Sequence, residues 1–109
     1  MHYINPDYIA FSFASGSTTA NWVCTSGRQL AAVILNSGLS GTQMYYDVAT
    51  EEGNAMILYS GGAPYSSVVT AGWNLLSTDI FRSVNFVRFR MSATAQTGIQ
   101  HGSAVVRPI

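Results

Sequence analysis

Lysine is missing from this chain, and charge of either sign is scarce: 9% of its 109 residues are Asp, Glu, Lys or Arg, against 48% hydrophobic. The five basic residues are all arginine, Arg28, Arg82, Arg88, Arg90 and Arg107, and five acids balance them to a formal net charge of zero. A protein that grips a nucleic-acid backbone needs a basic patch; scattered arginines do not make one, so no nucleic-acid partner is expected. Cys24 is the one cysteine. It precludes an internal disulfide, so the fold does not depend on an oxidising compartment, and a lone thiol of this kind is expected to be buried as a small apolar residue. Long hydrophobic runs are also missing. The longest, Leu30–Leu35, is far shorter than the roughly 20 residues a membrane helix needs, so no membrane partner is expected. The first residues lack the basic start and apolar stretch of a signal peptide, and no Asn-Xaa-Ser/Thr acceptor occurs. These absences point to synthesis in a cytoplasm.

What remains is an apolar chain with too little ionic coating for its size. Small soluble monomers keep well-charged surfaces to stay dispersed. A domain this long buries only about 65% of the surface its unfolded chain exposes. Much of the folded surface is therefore expected to meet another protein.

Ser, Thr and Gly interrupt the apolar segments throughout, which favours many short strands over helices. Strands are predicted over 8–13, 20–24, 29–35, 42–49, 55–60, 65–70, 85–91 and 103–107, with a short extended piece at 73–77. The run 29–35 fits a strand buried on both faces. In 42–49 the alternation sends Met44, Tyr46 and Val48 one way and Tyr45 and Asp47 the other; in 85–91 Val87, Phe89 and Met91 oppose Phe86, Arg88 and Arg90. Gly61-Gly62-Ala63-Pro64 reads as a loop, Glu51-Glu52-Gly53-Asn54 as a solvated turn, and Ser77-Thr78-Asp79 as the cap of one helical turn through Phe81 and Arg82. Eight or nine short strands at spacings near 10 residues argue for an all-β, antiparallel, jelly-roll-like sandwich. Residues 1–8 are expected to form an extended arm, kept open by Pro6, and residues 9–109 a single domain.

Chemistry is harder to find. No nucleophile motif surrounds Cys24 or any serine. His2 and His101 are the only imidazoles; a Ser-His-Asp triad on His101 has composition alone behind it, and His101 reads more simply as an exposed loop residue. No His or Cys pair falls at metal-ligand spacing. Asp47, Glu51 and Glu52 make no calcium pattern, and Gly61-Gly62 lacks the Lys and Ser/Thr of a phosphate loop. No catalytic, cofactor-binding or metal site is therefore expected, and the chain does not read as an enzyme. Trp22, Trp73, Tyr45, Tyr59 and Tyr65 are expected in the core or at interfaces; Trp22 or Trp73 would be the stacking platform if the chain instead bound a carbohydrate. Arg88 and Arg90 are placed to pair with a partner carboxylate or to lie in solvent on an outer sheet face.

The order of several short strings carries a resemblance. Ser15-Gly16-Ser17-Thr18 is followed by Gly27-Arg28-Gln29 and the run to Leu35, then by Met44-Tyr45-Tyr46-Asp47-Val48-Ala49, Leu58-Tyr59 and Ala63-Pro64-Tyr65-Ser66. Phe81, Val87-Arg88-Phe89-Arg90 and Val105-Val106-Arg107-Pro108 close the series. Across residues 10–108 this resembles small accessory virion proteins of tailed bacteriophages, which decorate or cement the capsid or sit among head and tail components. The resemblance implies a β-sandwich without catalytic residues, located in the virion after synthesis in the host cytoplasm. Its implied partners are the major capsid protein or other virion proteins, together with copies of itself, a trimer being favoured. A host-attachment or carbohydrate-binding module is the alternative expectation.

Overall fold

The computed structural model describes residues 7–25, 28–49, 55–76, 85–91 and 96–108. The helical cap at 77–82 and the turn at 51–54 expected from sequence lie outside these residues. Every regular element described is a strand: β1 Asp7–Phe13, β2 Val23–Cys24, β3 Arg28–Leu35, β4 Gln43–Ala49, β5 Met56–Ile57, β6 Tyr59–Ser60, β7 Ala63–Pro64, β8 Ser66–Val68, β9 Gly72–Leu75, β10 Phe86–Met91 and β11 Gln100–Pro108. Strand β1 begins at Asp7, so the expected boundary between arm and domain at residue 8 falls inside it.

Strands pair in nested order. β4 meets β8, β3 meets β9, β2 meets β10 and β1 meets β11, all antiparallel, as in one long hairpin whose tip is the β5–β7 segment. The hairpin is rolled so that β11 also pairs β3 and β10 also pairs β4. This closes two sheets, β1-β11-β3-β9 and β2-β10-β4 with β5 and β8 along the far side of β4, which is the strand order of a jelly roll. The all-β sandwich expected from sequence is the observed fold. The strand count differs because β5, β6 and β7 are two-residue pieces. The expected strand at 55–60 is broken at Leu58, whose N–H bonds the Tyr46 carbonyl and whose carbonyl accepts from Tyr65. The predicted loop at 61–64 is the end of a tight hairpin. Gly61 and Gly62 both have positive φ, 65° and 84°, the turn that matches strand twist, and it pairs Tyr59 with Pro64 and Ser60 with Ala63.

Alternation sorts the side chains. Phe11, Phe13, Val33, Leu35, Ala104 and Val106 face inward from the first sheet, and Met44, Tyr46, Val87, Phe89 and Met91 from the second. The expected faces of 85–91 hold throughout, with a strict half-buried and buried pattern. Run 29–35 shows no alternation because a bulge between Val105 and Val106 sets them opposite Ala32 and Leu30, skipping Ala31; a bulge adds one residue to one strand. Leu30 and Val33 thereby both reach the core. Aromatic rings bridge the layers, with Phe11 and Phe89 centroids 4.6 Å apart and Tyr46 and Phe89 at 5.8 Å; each such pair adds about 1 kcal/mol beyond its buried area.

One long side of the sandwich is closed. Phe13 bridges Ala20, and the Ser12 N–H donates to Asn21 Oδ1 at 2.7 Å. Buried Gln96 works similarly at one end: its amide accepts from the Ser40 N–H and donates to the Ser40 carbonyl, 2.8 and 3.0 Å.

Candidate interaction surfaces

Two outer faces concentrate the aromatic residues, and they differ in chemistry. On the β2-β10-β4 face, register places Asp47 opposite Arg88 and Tyr45 opposite Arg90. Asp47 Oδ2 accepts from Arg88 Nε at 3.2 Å and Nη2 at 2.8 Å. Its other oxygen lies 3.5 Å from Arg90 Nε. Trp22 lies against the Arg88 guanidinium, 4.9 Å from ring centre, and Tyr45 against that of Arg90 at 5.0 Å. The result is a ribbon of alternating rings and guanidinium groups around one carboxylate, carrying a net single positive charge.

This ribbon corrects one expectation. The carboxylate that Arg88 and Arg90 pair with belongs to their own chain: Asp47, 5% exposed, in mid-strand. Alternation puts these three residues on outward faces, but the register that joins them is set by non-local pairing. Cys24 is a second correction. It is exposed, not buried, because its inward neighbour Val23 takes the core position in β2 and the period of two turns Cys24 outward.

On the opposite face, the outer side of β1-β11-β3-β9, register aligns Tyr8, Val105, Ala32 and Leu75 in one row and Ala10, Ser103, Ile34 and Trp73 in the next. Tyr8 and Trp73 sit on opposite edge strands, roughly 14 Å apart in a four-stranded sheet. Their ring centroids are only 6.1 Å apart, edge to face. The rings therefore lean toward each other over the middle strands. That explains why Val105 and Ala32, outside the core cluster, are only 1% and 2% exposed. Beyond this arch Leu75 is 87% exposed and Trp73 remains 56% exposed. No local signal in the sequence joins Tyr8 to Trp73; only the rolled topology does.

Trp22 and Trp73, singled out for carbohydrate stacking, thus lie on opposite faces. Trp22 is half-buried with one contact taken by Arg88, and Trp73 is open. His101 is exposed in β11, opposite Ser12, and not in a loop. Two shallow depressions flank it, lined by Ile34, Asn36 and Ser103 on one side and Ala10, Ser12 and Asn21 on the other. No Asp or Glu is among the described residues that line them. Among the described residues, no three His, Cys, Asp or Glu side chains cluster as metal ligands. Tyr65 packs on the core and beside Tyr46, while Tyr59 is exposed.

The fold is similar to that of the SPBc2 prophage-derived protein YomS in its crystal structure. The TM-score is 0.58 over 97% of this chain and 98% of that one, at 15% sequence identity. At that identity the likeness is one of fold. No protein-family model matches the chain, and no curated protein matches it.

Proposed function

We propose, taking the jelly roll shared with a prophage-derived protein as context, that this chain is a bacteriophage structural protein that acts by binding other virion proteins. Its place in the particle is the outer surface of the capsid, where it serves as a decoration or cement protein. The observation that carries this reading is the exposed apolar coat. Tyr8, Trp73 and Leu75 stand on an outer face with no ionic side chain in their rows. Exposed contiguous apolar surface of that kind marks protein contact. Trp22, Tyr45, Arg88 and Arg90, of the residue types that dominate binding energy at interfaces, stand together on the opposite face. The resulting mechanism is mechanical. Each copy contributes a modest contact to the shell, and many copies clamp it by avidity.

Adding the purified chain to phage particles assembled without it tests the proposal. The expected result is saturable binding seen on the shell by electron cryomicroscopy, with capsids that rupture at a higher temperature. Density at the neck or tail would move the protein to another structural position. A second reading, a carbohydrate-binding module, is favoured by the open ring of Trp73. Binding on a glycan array that is abolished by Trp73→Ala, with no particle binding, would replace the structural role.

A further inference from the structure

The two long sides of the sandwich are unlike. At the β1/β2 side, Asn21 and the Phe13–Ala20 bridge cover the strand edges. At the β8/β9 side, Val69, Thr70 and Ala71 connect the two sheets, and among the described residues no strand pairs with the outer edge of β9. The Leu76 N–H bonds the Ala31 carbonyl, so the alternation of the ladder turns Gly72 and Asn74 toward β3 as well. It leaves the N–H and C=O of Trp73 and Leu75 pointing away from the sheet. No described residue pairs with them. Natural edge strands are protected by charge, particularly lysine, but no Asp, Glu, Lys or Arg occurs from Ala55 to Leu76. The same stretch holds Met56, Ile57, Tyr59, Val68, Trp73 and Leu75, six of the eight large exposed hydrophobics among the described residues.

We infer that β9 is a self-association edge, on which a second copy of this chain docks antiparallel about a two-fold axis at Asn74. The geometry is self-complementary. With Asn74 opposite its counterpart, Trp73 of each copy faces Leu75 of the other. These are the residues whose backbone groups point outward, so each facing pair exchanges both N–H···O bonds. The first sheets of both copies become one continuous sheet, with Leu75 of each copy set beside Trp73 of the other in the register. An isologous edge closes as a pair, so the assembly is a dimer and not the trimer expected from sequence. This inference does not depend on the virion role, because it concerns the purified chain alone.

Sedimentation equilibrium of the full chain tests it. The expected mass is twice 11.7 kDa. Leu75→Pro removes an outward N–H without taking a bond from β3, and Leu75→Lys adds the missing edge charge. Both should keep the circular dichroism of the parent and weaken association by roughly a hundredfold or more. Register is read by mixing Trp73→Cys and Leu75→Cys proteins, each carrying Cys24→Ser. The mixture should form an intermolecular disulfide under mild oxidation, and each protein alone should form far less. A monomer at millimolar concentration, a trimer mass, or association unaffected by the Leu75 variants would overturn the inference.

Discussion

Gly102 shows how a single missing side chain sets the core. It sits on the inward face of β11 opposite Phe11, and a Cβ there would lie 2.5 Å from the Phe11 ring and 2.9 Å from the Ile34 carbonyl oxygen. The ring can rotate, but the carbonyl belongs to a paired strand. Gly102→Ala should therefore destabilise the fold by about 1–3 kcal/mol, read as a lower thermal midpoint. Tyr46 is the opposite case, a polar tip on a core ring. Burial pushes its hydroxyl well above the ordinary tyrosine value, only partly offset by the Ser67 hydroxyl, which accepts its proton at 2.9 Å and can turn to donate to the phenolate. Unfolded, the same hydroxyl releases its proton near pH 10, so above that pH the unfolded chain binds fewer protons than the native one and stability falls as pH rises. Below about pH 10 this contribution is fully present. Tyr46→Phe should flatten the loss of stability between pH 10 and 12, measured by urea unfolding across that range.

Strands β4 and β10 are held by their outer face as well as by the core. Asp47 is nearly buried between Arg88 and Arg90, whose side chains are 29% exposed. Water screens the guanidinium side, so the pairs themselves contribute modestly, but removing the carboxylate leaves two partly buried like charges on one strand. Asp47→Ala should cost about 2 kcal/mol. Replacing Arg88 as well should recover part of that cost, a coupling that a double-mutant cycle measures. Cys24, beside Phe86 on the same outer face, should react fully with a thiol reagent in the native protein. Slow reaction limited by unfolding would contradict its exposure. Alternation made the faces of β4 and β10 legible in the sequence, down to Val87, Phe89 and Met91 inward. Register was not legible, because a pattern of period two says which side a residue faces but not which residue it meets.

At the scale of the whole molecule, low charge and the rolled hairpin act together. The topology leaves two edges per sheet; one side is closed by Asn21 and Ala20 and the other ends in β9. The stretch from Ala55 to Leu76 brings no charge of its own to keep copies apart. If two copies pair, the native state gains stability by mass action. The thermal midpoint of the parent should then rise with protein concentration, while that of Leu75→Pro stays constant over the same range.

Sequence alone determined the fold class, since short apolar runs broken by Ser, Thr and Gly cannot build helices of useful length, and period two is a local property of an extended chain. It also determined that the surface would be poor in ions, because composition survives folding unchanged. The tertiary structure decided what those surface residues do. The bulge at Val105 and Val106, the joining of Asp47 to two arginines, the arch of Tyr8 over the sheet to Trp73 and the open edge of β9 all depend on contacts between residues 40 or more positions apart or on which strand falls last in a sheet. Those are consequences of how the hairpin rolls, and no window of neighbouring residues contains them.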